Sequence, residues 1–202
     1  VANAKNETEK TLEGKIILVI EDDKLLKTGL QEAFEGQGCS KIVLKECIEN
    51  AFKEISKQGK DYDLIMLDIM LPETEKQLNR LRELEQELDE VRGVLRQEDE
   101  MDPDNNSLRD EIEKAYNKRA TILREKDTLV NRRGGIELLE KLNDKGLLGN
   151  QLPILVLTAV GNKEDVYDGM KLLSESGDWL VKPVNVQTLI NKAQELINKK
   201  KE

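Results

Sequence analysis

Five short apolar runs punctuate this chain, with polar or helical stretches between them. Residues 15–20 read Lys-Ile-Ile-Leu-Val-Ile and end at once in Glu21, Asp22 and Asp23. A short apolar run without polar alternation fits a strand buried on both faces, as in a parallel sheet. Leu25, Leu26, Leu30, Ala33 and Phe34 follow at helical spacing and stop at Gly36-Gln37-Gly38. Ile42-Val43-Leu44 is a second strand, and Ile48, Ala51, Phe52 and Ile55 mark a helix that ends near Gly59. The third run, residues 63–72, reads DLIMLDIMLP, with Asp68 near its end and Pro72 just beyond. Strand and helix alternate to this point, the signature of a doubly wound parallel sheet.

From about residue 73 to 133 the period changes. Leu81, Leu88 and Leu95 lie seven apart, with Leu84 and Val91 at the other core position. Beyond a polar break at 101–107, Leu108, Ala115, Ile122 and Leu129 repeat at the same interval. Two heptad-patterned helices joined by a tight turn predict an antiparallel coiled-coil hairpin. Its second helix starts either at Asp102-Pro103 or at Ser107 with Asp110 three residues on. At 1.5 Å rise per residue, each arm is roughly 40 Å long. Arg119 and Lys126 fall on predicted core positions, so the seam is imperfect: frayed, or contacted by another chain, a second copy of this one included.

The strand–helix alternation then resumes. A helix opens at Gly134-Gly135-Ile136-Glu137-Leu138-Leu139, and strand four, 153–157, ends at Thr158-Ala159. A helix through Val166, Met170, Leu172 and Leu173 leads to strand five, 179–181, which ends at Lys182-Pro183. Leu189, Ile190, Ala193, Leu196 and Ile197 mark the last helix. The expected organisation is a polar leader at 1–14, an α/β domain from 15–72 and 134–202, and the hairpin at 73–133. Without leader and hairpin, about 125 residues remain, a comfortable single domain.

Composition sharpens this picture. The 202 residues are 36% charged and 3% aromatic, which suits a long exposed helical arm more than a larger core. A net charge of −9 argues against nucleic acid as a general partner, because phosphates would be repelled. No apolar run approaches the roughly 20 residues that span a bilayer, and no signal-peptide pattern opens the chain, so the expected location is the cytoplasm. Cys39 and Cys47 lack the spacing of a disulfide framework or a CxxC site, and read as small apolar residues. Histidine is absent, which excludes a Ser-His-Asp triad, most zinc sites and a phosphohistidine-donor role. Carboxylates and lysines must carry any phosphoryl chemistry. The chain starts at Val1, as a fragment or processed product would.

The carboxyl ends of the strands supply them. In strand order they offer Glu21 and Asp22, then Asp68, Thr158 and Lys182. Sites in doubly wound sheets form at that edge, near the topological switch point. Clustered carboxylates call for a hard cation, and Mg²⁺ takes a few carboxylate oxygens while keeping water and a phosphate oxygen. Asp68 can then act as a nucleophile on phosphorus. Mg²⁺, the Lys182 ammonium and the Thr158 hydroxyl would offset charge on the equatorial oxygens. The bland alternative is a buried Lys182–Asp68 salt bridge, which the unphosphorylated state also accommodates.

Glu21-Asp22, Asp68 followed by Leu71-Pro72, Thr158-Ala159 and Lys182-Pro183, in this order, resemble the receiver domain of two-component response regulators. The resemblance covers 15–72 and 134–199. It implies a flavodoxin-like fold with strand order 2-1-3-4-5, Asp68 as phosphoacceptor, and a phosphohistidine on a histidine kinase or phosphotransfer protein as donor. It implies Mg²⁺ on Asp22, Asp68 and the main-chain carbonyl of Met70, with Glu21 reaching the ion through water. It also implies a switch pair, Thr158 and Trp179, and a cis Lys182–Pro183 bond. Such a domain is not an enzyme beyond its own phosphorylation and dephosphorylation. It signals through protein–protein contacts at its fourth helix, fifth strand and fifth helix, and no output domain is expected after the last helix. Where the family has the usual Gly-Ala before strand five, this chain has Ser176-Gly177-Asp178.

The hairpin is the larger departure. Leu71-Pro72 and Gly135-Ile136-Glu137-Leu138 flank about 60 extra residues, far beyond ordinary loop lengths. It reads either as a passive spacer or as a docking or oligomerisation element whose base feels phosphorylation, with a downstream protein as partner. Three other readings stand beside the receiver. A haloacid-dehalogenase-type phosphatase wants a second Asp where Met70 stands. A coiled-coil adaptor on a non-switching receiver scaffold would not need intact Asp22, Asp68, Thr158 and Lys182. A receiver excised from a hybrid histidine kinase fits the Val1 start.

Overall fold

A computed structural model describes residues 11–96, 106–148, 152–159, 163–173 and 177–199. Five strands form one sheet: β1 (Ile16–Ile20), β2 (Lys41–Lys45), β3 (Leu64–Asp68), β6 (Ile154–Thr158) and β7 (Gly177–Val181). Every pairing in it is parallel and the order is β2-β1-β3-β6-β7, which is the expected 2-1-3-4-5. Successive residues of β1, β3 and β6 feed opposite cores. Leu18, Ile20, Ile65, Leu67, Ile154 and Val156 pack under α2 (Ile48–Gln58) and α5 (Gly134–Asp144). Ile17, Val19, Leu64, Met66, Leu155 and Leu157 pack under α1 (Lys24–Gly36) and α7 (Val186–Lys199). The unbroken apolar runs thus mark strands covered on both sides.

Several expectations shift. Leu25 lies on the predicted apolar face of α1, yet it is 85% exposed, while Lys27 is buried. The Lys27 ammonium explains this by pairing with Glu46 in the β2–α2 connection. Met170, on the predicted core face of α6 (Lys163–Leu173), is also exposed, whereas Leu173 is buried. The expected leader is shorter than residues 1–14. Leu12 is 1% exposed within the α1/α7 core, and its N–H donates to the Gln37 carbonyl at 3.2 Å. Residues 11–14 therefore belong to the α/β body. β7 begins at Gly177, two residues before the expected 179.

The hairpin is present as α3 (Glu75–Leu95) and α4 (Asn106–Leu129). Thr74 caps α3 in a capping box: its side chain accepts from Gln77 N–H, and Gln77 Oε1 accepts from Thr74 N–H at 3.0 Å. Leu78, Leu81, Leu84, Leu88 and Val91 are buried along α3 and Ile112, Ala115 and Ile122 along α4, with Leu84, Leu88 and Val91 packed on Ala115 and Ile122. Ile112 takes the core position whose later repeats are Arg119 and Lys126. Arg119 is exposed, and Lys126 turns its ammonium to Glu85 Oε1 at 3.1 Å. Arg80 grips Glu125 from α3 at two points, 2.7 and 3.1 Å. The imperfect seam is thus closed by ion pairs across its flank. Ser107 is already inside α4, so it is not the cap; Asp102-Pro103 lies outside the described residues.

One element escaped the sequence. Leu71–Pro72 (β4) and Val130–Asn131 (β5) pair antiparallel at the base of the hairpin, Leu71 opposite Asn131 and Pro72 opposite Val130. Both are too short to carry a pattern.

Leu84 sits at the centre of the seam, 1% exposed. Leu84→Ala should cost the hairpin about 2–5 kcal/mol. Amide hydrogen exchange should then accelerate along α3 and α4 while β1 and β3 keep their protection. Equal acceleration in the sheet would show that hairpin and body unfold as one unit.

Candidate functional site

The register of the sheet decides which side chains meet. Ile20 is opposite Leu67, so the residues just beyond, Glu21 and Asp68, end neighbouring strands side by side. Asp22 joins them: one carboxylate oxygen from each of Glu21, Asp22 and Asp68 lies within 4.8 Å of the others. Asp23, third in the acidic run, turns away. Its carboxylate accepts the Leu26 N–H at 2.8 Å and caps α1. Three adjacent acids in the sequence therefore divide into two site residues and one cap.

Lys182, just past β7, reaches across β6 into this group. Its Nζ donates to Glu21 Oε2 at 2.7 Å and to Asp68 Oδ2 at 2.9 Å. Its own N–H donates to the Thr158 carbonyl at 2.6 Å, which fastens the ends of β6 and β7 together. Asp68 Oδ1 accepts the Ile69 N–H at 2.7 Å and a long 3.4 Å contact from Met70 N. Glu21 and Thr158 are almost wholly buried, and Asp68 is 7% exposed. Ala159 beside Thr158 is exposed and small, which leaves the approach to the edge open.

Three carboxylates against one ammonium leave two negative charges unbalanced in a largely buried space. Burial first, then the charge of Asp68, pushes the Asp22 carboxyl up to about 6 and the Glu21 carboxyl to about 7. Burial works to depress the Lys182 ammonium, but the charges of Asp68 and Glu21 and hydrogen bonds to both outweigh it and hold it protonated. This donor set is hard, acidic and underneutralised, and it fits a small divalent cation on oxygen ligands. The expected residues Glu21, Asp22, Asp68 and Lys182 thus converge. Met70 lies on the loop after β3, half-buried.

Trp179 is opposite Val156 in the β6–β7 register and Thr158 is opposite Val181, so Trp179 and Thr158 share one face two residues apart. The indole packs against Gly169 of α6, where a Cβ would stand 2.5 Å from Trp179 Cζ3. Among the described residues no hydrogen-bond acceptor meets its buried Nε1. The Lys182–Pro183 peptide is cis, as expected.

Two glycines that the sequence marked only as a helix start prove to be contact residues. Gly135 N–H donates to the Ile69 carbonyl at 2.8 Å, and a Cβ there would lie 2.8 Å from Ile69 Cα and closer still to the Asp68 carbonyl. A Cβ on Gly134 would overlap Ile48 Cδ1 and press on the Leu71 carbonyl. Only glycine lets α5 approach the backbone of Asp68 and Ile69 this closely.

A carboxyl whose pKa is higher in the folded than in the unfolded chain favours the native state only while protonated. The metal-free protein should therefore lose stability as pH rises from the ordinary carboxylate range to about 6 for Asp22 and about 7 for Glu21. Mg²⁺ affinity should climb over the same window. Asp22→Asn should raise the urea midpoint of the metal-free protein at pH 7.5 and flatten its decline. A lower midpoint in Asp22→Asn would show that the cluster is not electrostatically underneutralised.

No family model and no curated protein matches the sequence. The fold has clear counterparts among solved structures. The receiver domain of the Francisella response regulator 1452 is 19% identical, covers 92% of this chain and 98% of its own, and superposes with a TM-score of 0.55. A CheY-like response regulator receiver domain protein from Methanospirillum hungatei is 16% identical over 93% of this chain and 96% of its own, with a TM-score of 0.56. The CheX–CheY–BeF3–Mg complex from Borrelia burgdorferi contributes a chain 13% identical over 90% and 88%, with a TM-score of 0.54. The chain has the fold of a response-regulator receiver domain, with a helical hairpin inserted between the third strand of the sheet and the next helix of the body.

Proposed function

We propose that this chain is a phosphoacceptor receiver, with Asp68 as the modified residue. The observation that carries this reading is the Lys182 ammonium bonded to both Glu21 and Asp68 in a cluster with Asp22. The Borrelia neighbour comes from a CheX–CheY complex with BeF3 and Mg²⁺, which supports a phosphoryl-binding role for this fold. Glu21, Asp22, Asp68 and the Met70 carbonyl are the residues that would hold Mg²⁺, Glu21 through water. When bound, the cation supplies positive charge to the oxygens of the incoming phosphoryl group.

The chain's own groups do the rest. One carboxylate oxygen of Asp68 forms a bond to phosphorus as the P–N bond of a phosphohistidine breaks, and the departing imidazole nitrogen keeps the electron pair and takes a proton. In this reading the phosphohistidine belongs to a histidine kinase or phosphotransfer protein, since these 202 residues contain no histidine. Lys182 remains beside the product oxygens and offsets their charge, and the Thr158 hydroxyl donates to one of them. Water later attacks phosphorus, restores Asp68 and releases inorganic phosphate. Trp179, on the same face as Thr158, would report the change toward α6 and β7. The output is a protein–protein contact and not turnover of a substrate. Among the described residues no helix is long and apolar enough to cross a membrane, and this reading places the protein in the cytoplasm.

Incubation with acetyl phosphate and Mg²⁺ should add about 80 Da, one phosphoryl group, to the intact mass. Asp68→Asn should abolish the adduct, and Lys182→Ala should slow its formation about a hundredfold or more. A folded protein that binds Mg²⁺ yet forms no adduct would leave the non-switching adaptor as the better reading.

A further inference from the structure

The hairpin leaves and re-enters the body within a few residues of Asp68, and its two ends are fastened to each other. Met70 is followed directly by β4, and β5 is followed within three residues by Gly134-Gly135. Between them stands Asn131. Its Nδ2 donates to Glu73 Oε1 at 3.0 Å just past the outgoing strand, and its Oδ1 accepts the Arg133 N–H at 2.9 Å on the returning turn. The Glu73 carbonyl accepts the Glu49 N–H at 2.9 Å, which anchors the outgoing side to α2. On the returning side, Gly135 N–H holds the Ile69 carbonyl. Hydrogen bonds joined by short stretches of chain thus link Glu49 through Glu73, Asn131, Arg133 and the start of α5 at Gly135 to the loop that carries Asp68 and Met70.

From this path we infer that Asn131 and Glu73 form a clasp that positions the Asp68–Met70 loop, so that closure of the hairpin base and occupancy of the acidic cluster reinforce each other. The inference rests on the receiver reading for the identity of what occupies the cluster. Its physical content is linkage. The loop between Asp68 and Leu71 is bounded on one side by the cluster and on the other by the clasp. Close packing of Gly134 and Gly135 against the Leu71, Asp68 and Ile69 backbone leaves it no slack. A cation that draws in the loop's oxygens favours the closed clasp. By reciprocity, whatever closes or splays the hairpin base shifts affinity at the cluster by the same factor. A protein that grips α3 and α4 therefore acts on Asp68 without touching it. The second attachment of the arm keeps it in register with the body: Arg82 of α3 reaches Glu46 at 2.8 Å, and Glu46 also holds Lys27 of α1.

The test uses the full chain with Asn131→Ala and, in case that variant folds poorly, Glu73→Ala, which removes the same side-chain bond from an exposed residue. Mg²⁺ is titrated by the fluorescence of Trp179, the sole tryptophan, and amide exchange is followed with and without Mg²⁺ and beryllofluoride. In the wild type, Mg²⁺ with beryllofluoride should slow exchange at Leu71 and at 130–135. Each variant should bind Mg²⁺ about fivefold or more weakly, the low end of typical coupling, and lose that ligand-dependent protection. A purely structural role would lower the melting temperature and leave both readouts unmoved. Unchanged Mg²⁺ affinity and unchanged protection in a folded variant overturn the clasp while leaving the receiver reading intact. A wild type that binds no Mg²⁺ overturns both.

Discussion

One ammonium makes the acidic edge of this sheet possible. Parallel pairing of β1 and β3 forces Glu21 and Asp68 together whatever their charge, because the register that aligns the apolar residues of the two strands also aligns their carboxyl ends. A buried carboxylate without a partner is costly, and two side by side are worse. Lys182 arrives from two strands away, and its reach over β6 is fixed by the backbone bond to Thr158. A long flexible stem with a compact charge suits a task in which one cation must serve two acids. It serves them incompletely. Burial first, and then the charge of Asp68, still raises the Asp22 and Glu21 carboxyls, and an acidic edge of this kind suits a divalent ion.

The inserted hairpin costs the body less than its length suggests. Loop-closure entropy grows only logarithmically with loop length, and here the ends are brought together by the insert's own pairing, Leu71 with Asn131 and Pro72 with Val130. The seam between α3 and α4 has a separate core in Leu84, Leu88, Val91, Ala115 and Ile122. The hairpin therefore supplies its own burial and meets the body at its base and through Arg82–Glu46. Surface ion pairs such as Lys126–Glu85 add little each, though the two-point Arg80–Glu125 contact also fixes the register of the arms.

The parts legible from the sequence are those where one residue type at one period has one physical meaning. Continuous apolar runs named the five sheet strands, and seven-residue spacing named the hairpin. Acids and a lysine at strand ends named the cluster, since strand topology converts sequence order into proximity. What stayed hidden depends on partners distant in sequence. Leu25 and Lys27 exchange their expected places because Lys27 finds Glu46 beyond the end of β2. Leu12 is a lone apolar residue in a polar stretch, and no period could mark it as core. Asp23, the third acid of the run after β1, has no assigned role in the sequence and caps the start of α1. Asn131 and Glu73 carry no motif at all, because a clasp of one side-chain bond and two-residue strands leaves no repeat to read.

The place of the insertion matters more than its length. Had the same 60 or so residues entered the α5–β6 connection, they would have left from the opposite edge of the sheet, near Gly146, where an added Cβ meets nothing within 4 Å. There the glycine's surroundings are open, and nothing like the contact at Gly134 and Gly135 ties the connection to the acidic edge. At the carboxyl edge the arm's exit runs into Gly134 and Gly135, whose missing side chains are filled by the backbone of Leu71, Asp68 and Ile69. Close-packed contacts of this kind do not yield gradually; they hold one arrangement or give way to another. An arm rooted there shares its packing with the loop that carries Asp68.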